Sequence, residues 1–155
     1  MMRHPSQPLV LWILLVLSLQ PGLTMAESQQ TTQTMAIVAG VGFPKNRLTL
    51  EEVKAIYLGE IQILRDLRIY PIDQSYNQPI RAKFLEQILH ITRDSYIDYW
   101  NKRLFQKGGF TPLLKNNSRE VLETVREQEG GIGYVWLNET EGEDTLRILM
   151  TSDLK

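Results

Sequence analysis

Residues 48–60 read Leu-Thr-Leu-Glu-Glu-Val-Lys-Ala-Ile-Tyr-Leu-Gly-Glu. Thr49 and Glu52 stand at the capping-box spacing, where each side chain satisfies a free backbone donor at a helix start. Leu50, Val53, Ile56 and Tyr57 then share one helical face, and Gly59 is placed to stop the helix. Short apolar runs lie on either side. Residues 35–41, Met-Ala-Ile-Val-Ala-Gly-Val, are too few for a typical helix and precede Gly42 and Pro44. That pattern predicts a strand buried on both faces. Residues 68–72 predict a second short strand, with Pro71 marking its end or a sheet edge.

The alternation continues toward the C-terminus. Pro79 suits a first helical position, and Ile80, Phe84, Leu85, Ile88 and Leu89 follow on one face. Thr92 caps a further helix predicted to bury Tyr96, Ile97, Trp100 and Leu104, which ends at the loop Lys107-Gly108-Gly109. Asn117 and Glu120 repeat the capping-box spacing before Val121, Leu122 and Val125. Gly130 and Gly131 lead into a strand over 132–137. An acidic turn covers 139–144, and a last strand over 145–150 sets Leu146, Ile148 and Met150 on one side. Strands alternating with helices predict an α/β domain, a sheet flanked by helices.

Arg3, the apolar run 9–19, Pro21-Gly22 and Thr24-Met25-Ala26 predict a secretory signal peptide over 1–26, cut before Glu27. The run is shorter than the ~20 residues of a spanning helix. A polar linker over 27–34 and one domain over 35–155 follow. The formal net charge of -1 gives no basic excess, so nucleic acid is not an expected partner. The sequence has no cysteine. This excludes thiol nucleophiles and cysteine-bound metal, and it suits a periplasmic domain that relies on its core. No carboxylate pair, serine triad or metal motif stands out, so neither an enzyme nor a cofactor is expected.

The stretch 73–81, Asp-Gln-Ser-Tyr-Asn-Gln-Pro-Ile-Arg, joins the second strand to its helix. Ligands of open α/β sheets sit at such places, beyond strand carboxyl ends. A helix start offers free N–H groups and a partial positive charge to an anion. Ser75 can donate a hydroxyl, Asn77 an amide, and Arg81 a forked, charge-assisted contact. Asp73 can accept from a protonated oxyanion. Removing Ser75 or Arg81 is expected to weaken binding without unfolding the domain. The same residue types also serve any strand-to-helix turn, and Arg81 can equally lie on the solvent face. His90 reads as a surface residue at a helix end, and Tyr96, Tyr99 and Trp100 as core.

Four segments, in order, resemble the phosphate-type substrate-binding proteins of periplasmic ABC uptake systems. Residues 50–60 are similar to a helix ending in that family's Phe- or Tyr-Leu-Gly turn. Residues 69–75 are similar to the strand entering its phosphate loop, and 84–89 to the helix after it. Residues 131–135, Gly-Ile-Gly-Tyr-Val, resemble its returning strand, usually Gly-Ala-Ile-Gly-Tyr-Val. The resemblance implies one lobe of a type II periplasmic-binding-protein-like fold. What single-lobe forms bind is not implied by the resemblance; the expected ligand is phosphate or another small oxyanion, and the expected partner a membrane transporter or sensor protein. Asp73 and Ser75 match the family loop Arg-x-Asp-Gly-Ser-Gly-Thr. Pro71 stands in place of its arginine, Gln74 and Tyr76 replace its glycines, and Asn77 its threonine. Asn77 and Arg81 are candidates from the residues alone. The family's first lobe has no counterpart before Met35. The expected function is a secreted, non-enzymatic domain with weak oxyanion binding, or an interaction or accessory module that has lost its ligand.

Overall fold

The computed structural model describes residues 33–154. The expected signal peptide at 1–26 and residues 27–32 of the expected linker lie outside these. The linker's last two residues, Gln33 and Thr34, open strand β1 (Gln33–Gly40). Thr49 caps α1 (Leu50–Tyr57) with the reciprocal box expected, Glu52 N–H to Thr49 Oγ1 and Thr49 N–H to Glu52 Oε2. Lys45 and the Thr49 N–H hold the Glu52 carboxyl below its usual value. Gly59 follows the helix with a positive φ of 71°.

Five strands form the main sheet in the order β5-β4-β6-β1-β7. They are β4 (Tyr70–Gln74), β5 (Leu113–Lys115), β6 (Gly131–Trp136), β7 (Leu146–Leu154) and β1. β1 runs antiparallel to β6 and β7, and β4 runs parallel to β5 and β6. Alternation along β1 builds two cores, one on each face of the sheet. Met35, Ile37 and Ala39 join Tyr57, Phe84, Ile88 and Trp100. Ala36 and Val38 join Val121, Leu122 and Val125 of α4 (Ser118–Glu127). The expected sheet flanked by helices is what forms, with the three predicted runs 35–41, 68–72 and 132–137 contributing β1, β4 and β6.

Four local expectations change. Within the run 68–72, Arg68 ends a hairpin of β2 (Ile63–Leu64) with β3 (Leu67–Arg68), and the strand β4 starts only at Tyr70. Pro71 is therefore the second residue of an interior strand, near the start that its ring tolerates. α3 (Arg93–Lys107) buries Tyr96 and Trp100, but Ile97 is half-buried and Leu104 exposed, because the helix outruns the core beneath it. Asn117 does cap α4, accepting from Glu120 N–H, yet the Glu120 carboxylate turns to Asn116 instead of closing the box. Finally, a bulge breaks the alternation of β7. Ile37 opposes Met150 and Val38 opposes Ile148, so Leu149 is the extra residue. Leu149 is 2% exposed and Ile148 41%.

Close approach explains the Gly-Gly-Ile-Gly run. Gly130 has φ 77°, and a Cβ there would lie 2.0 Å from the Arg68 carbonyl oxygen. A Cβ on Gly133 would lie 2.4 Å from Val121 Cγ1, where α4 packs on the sheet. Gly133→Ala should overpack this layer and cost about 1–3 kcal/mol. Gly130→Ala should cost more, adding backbone strain of about 1–3 kcal/mol to a clash with backbone. Gly42→Ala, with nothing within 4 Å, should be close to neutral. Urea unfolding of the three variants checks the order.

Candidate functional site

β4 delivers Asp73 and Gln74 to the carboxyl end of the sheet. A turn then feeds α2 (Pro79–Lys83), which has Pro79 in its first turn and continues as the π-helical segment Phe84–Leu89. Asp73 is 5% exposed and Arg81 4%. Arg81 Nε and Nη2 both donate to Asp73 Oδ2, at 3.2 and 3.0 Å. Oδ1 accepts from the Gln74 N–H at 2.8 Å and from the Tyr134 hydroxyl. The carboxylate is thus surrounded by four donors, the condition under which a buried charge is tolerated. Burial, and then the Asp73 charge, pushes the Tyr134 phenol well above its ordinary pKa, so it stays protonated and donates. Its ring stacks on Phe84 with centroids 4.0 Å apart.

Gln74 stands where the resemblance expects glycine, and it acts as a core bracket. Its Nε2 donates to the Tyr134 carbonyl at 2.8 Å and to Ser118 Oγ at 3.3 Å, joining β4, β6 and the start of α4. The turn is similarly self-contained. Ser75 N–H donates to the Lys115 carbonyl, Gln78 N–H to that of Ser75, and Arg81 N–H to that of Gln78. These donors are spent within the chain. Of the four residues picked out from sequence, Asp73 and Arg81 come together as a buried pair. Ser75 is half-buried and Asn77 exposed, one on each side of Tyr76. Arg81 does not lie on the solvent face, because a buried carboxylate draws it inward.

A cavity of about 220 Å³ opens beside this pair, between the end of β4, α2, α3 and β5. Tyr76 and Tyr96 frame the guanidinium, with its carbon 4.6 and 5.6 Å from their ring centroids. Arg93 lies 4.9 Å from the Tyr76 centroid. Tyr96, Trp100, Leu104, Pro112 and Leu114 complete much of the wall. The Tyr96 hydroxyl and Trp100 Nε1 are buried and neither makes a hydrogen bond of normal geometry. Buried Tyr and Trp tips usually find a partner. Burial, and then the Asp73 charge, raises the Tyr96 phenol, which keeps it a donor. The sequence reading placed both residues in the core, and they are there. Their i, i+4 spacing aligned one helical face but did not show that this face borders a cavity. Among the described residues, no group of three or more His, Asp or Glu side chains could hold a metal ion.

No family model and no curated protein matches the chain. Solved structures do. A Clostridium perfringens protein assigned as a phosphate ABC transporter substrate-binding protein, solved with bound phosphate, aligns with TM-score 0.61 and 19% identity. The alignment covers 76% of this chain and 44% of that one. An ABC-type phosphate transport receptor from Vibrio cholerae aligns with TM-score 0.59 and 20% identity, over 83% of this chain and 52% of that one. PstS from Borrelia burgdorferi aligns with TM-score 0.59 and 17% identity, over 76% and 47%. The likeness is one of fold, and this chain spans about half the length of each neighbour. The fold is that of one lobe of these binding proteins.

The geometry revises the expectation that Arg81 is dispensable for folding. Arg81→Ala leaves Asp73 buried without its cation and should cost about 3–5 kcal/mol. The double variant Asp73→Asn, Arg81→Met should lose less than the sum of the single losses, because no charge is stranded. Urea unfolding measures both.

Proposed function

We propose that this chain is a non-enzymatic, extracytoplasmic binding domain that weakly holds a small oxyanion of the phosphate type beside the Asp73–Arg81 pair. One observation carries the reading. The Arg81 guanidinium, held by Asp73, belongs to a cavity framed by Tyr76 and Tyr96 at the end of β4. An acceptor-rich anion is the chemistry that a guanidinium at a cavity wall suits. The fold supports the choice, since one neighbour was solved with bound phosphate. Ser75 and Asn77, flanking Tyr76, are assigned to the rim as secondary donors. A periplasmic location follows from the expected leader, and a membrane transporter or sensor is the proposed partner. Among the described residues, no helix is long and apolar enough to cross a membrane.

Weakness follows from charge and exposure. Asp73 already neutralises Arg81, so the anion meets oriented donors without a net positive field. A half-open site also leaves each bond competing with water. Charge-assisted hydrogen bonds then contribute toward the lower end of ~1.5–3 kcal/mol each, against ordering costs.

A second reading has its own observation. Phe105 is 93% exposed and Phe110 78%, and Leu113 and Leu114 lie exposed on the edge strand β5. Apolar surface of this kind marks contact with another protein. On this reading the domain is an accessory module, and the cavity is part of a docking face.

Calorimetric titration with inorganic phosphate tests the proposal. The expected dissociation constant is on the order of 0.1 mM or weaker, a net ~5 kcal/mol or less. Ser75→Ala should weaken binding severalfold with the domain still folded. Submicromolar binding by the monomer would show that the half-site account is wrong. Absence of binding up to ~10 mM, a net ~3 kcal/mol, would leave the docking reading.

A further inference from the structure

The last turn of α3 outruns the core and ends in a tip that the oxyanion reading does not use. Every residue from Leu104 to Thr111 is exposed. Phe105 is 93% exposed and Phe110 78%. Between them the chain reverses at Gly108 and Gly109, with φ of 64° and 108°. A Cβ on either glycine would meet nothing within 4 Å, so the turn stands clear of the body. Charge around the tip is uneven. The whole chain carries 17 basic and 18 acidic side chains. Residues 102–115 hold Lys102, Arg103, Lys107 and Lys115 and no carboxylate. Among the described residues, none of these four cations enters an ion pair. Arg103 donates to the Gly59 carbonyl, which leaves its charge uncompensated. Arg68 adds a further cation, its guanidinium carbon 5.1 Å from the Phe110 ring centroid. Lys115 lies within range of the Glu120 carboxylate, so the free charge is concentrated at the end of α3.

We infer that this tip docks the domain on an anionic phospholipid surface, with Phe105 and Phe110 as its apolar anchors and Lys102, Arg103 and Lys107 against the headgroups. The inference stands apart from the oxyanion reading and concerns a different part of the molecule. Shape, composition and charge select a bilayer over a protein partner. Apolar rings that protrude on a turn can enter a soft lipid phase without a preformed counterpart, whereas a protein partner must supply a packed pocket for each anchor. Lysine is depleted at protein–protein interfaces. Here Lys102 and Lys107 interleave with Leu104 and Phe105, the mixture of cations and large apolar side chains found on segments that lie at a membrane interface. Cations without carboxylate partners keep their full attraction for anionic lipid, which is about fivefold in affinity for each one near the surface.

The test adds vesicles to the full chain in two arms, phosphatidylcholine alone and phosphatidylcholine mixed with phosphatidylglycerol. The sequence has no cysteine, so Gln106→Cys places a single environment-sensitive fluorophore on the tip. Glu127→Cys, exposed on α4 across the sheet, places the control. The label at 106 should shift to shorter wavelength with mixed vesicles, and the label at 127 should not. Phe105→Ala and Phe110→Ala should each weaken binding to mixed vesicles about tenfold. Lys102→Gln and Lys107→Gln should each weaken it about fivefold. Added salt should weaken it further, because exposed charges are screened. Phe105→Ala and the two lysine variants should leave the unfolding temperature unchanged, since these side chains are exposed and pack on nothing that would be lost.

A label at 106 that mixed vesicles leave unmoved would overturn the inference. An equal shift with phosphatidylcholine alone would also overturn it, since the cations would be irrelevant. Vesicle binding that inorganic phosphate displaces and Phe105→Ala leaves unchanged would assign the lipid headgroup to the Asp73–Arg81 cavity, and the docking tip would fall. Absence of vesicle binding, with self-association in sedimentation velocity that Phe105→Ala abolishes, would make the tip a protein contact and overturn the inference. None of these results decides the oxyanion reading, which the phosphate titration tests separately.

Discussion

A single buried carboxylate organises this half of the molecule. Asp73 receives two bonds from Arg81, one from its neighbour's backbone at Gln74, and one from Tyr134. Those donors come from α2, β4 and β6. An ionised group can stay inside only when every lone-pair direction is occupied. Each donor is therefore fixed in place by the same requirement. Arg81 pins the start of α2 against the sheet, and Tyr134 holds β6 in register while its ring stacks on Phe84. Tyr57 reinforces the arrangement from α1, its hydroxyl lying 3.0 Å from the Ile72 carbonyl and 3.3 Å from that of Ile132.

This arrangement has a consequence for recognition. The turn after β4 has spent several of its backbone donors on Lys115, Ser75 and Gln78. Gln74 and Tyr76 supply side chains where a phosphate-wrapping loop would use glycine. On the proposed reading, recognition rests on side chains beside the Asp73–Arg81 pair rather than on backbone N–H groups. The chain also spans only 44–52% of the binding proteins whose fold it shares. At a face open to water, hydrogen bonds are weaker, and on the proposed reading apolar contact becomes the more effective source of affinity. The wall formed by Ile97, Leu104, Pro112 and Leu114 fits that requirement.

Much of the fold is legible in the sequence because it rests on local signals. The Thr49–Glu52 box, Pro79, Thr92 and Asn117 each report a helix start through side-chain to backbone chemistry within a few residues. The run 35–41 declares a strand with both faces covered. Where a feature depends on a partner strand, sequence is silent. The three residues of β5 have no periodicity of their own and become a strand only by pairing with Ile72, Asp73 and Gln74. The bulge that buries Leu149 likewise depends on register against β1. The site divides in the same way. Asp73 and Arg81 are visible as charged residues at a strand-to-helix junction. Their pairing comes from the packing of α2 on the end of β4, and the burial of the Tyr96 and Trp100 tips from the packing of α3, and these elements share no local signal.

The most direct test of this account is the side-chain N–H region of a ¹H–¹⁵N correlation spectrum during anion titration. Trp100 and Trp136 are the two tryptophans among the described residues, and Trp136 lies away from the cavity lining. The account predicts that the Trp100 indole and Arg81 Nε signals shift together and saturate with one dissociation constant, while the Trp136 indole stays put. Saturable shifts elsewhere on the protein, with Trp100 and Arg81 unmoved, would contradict it.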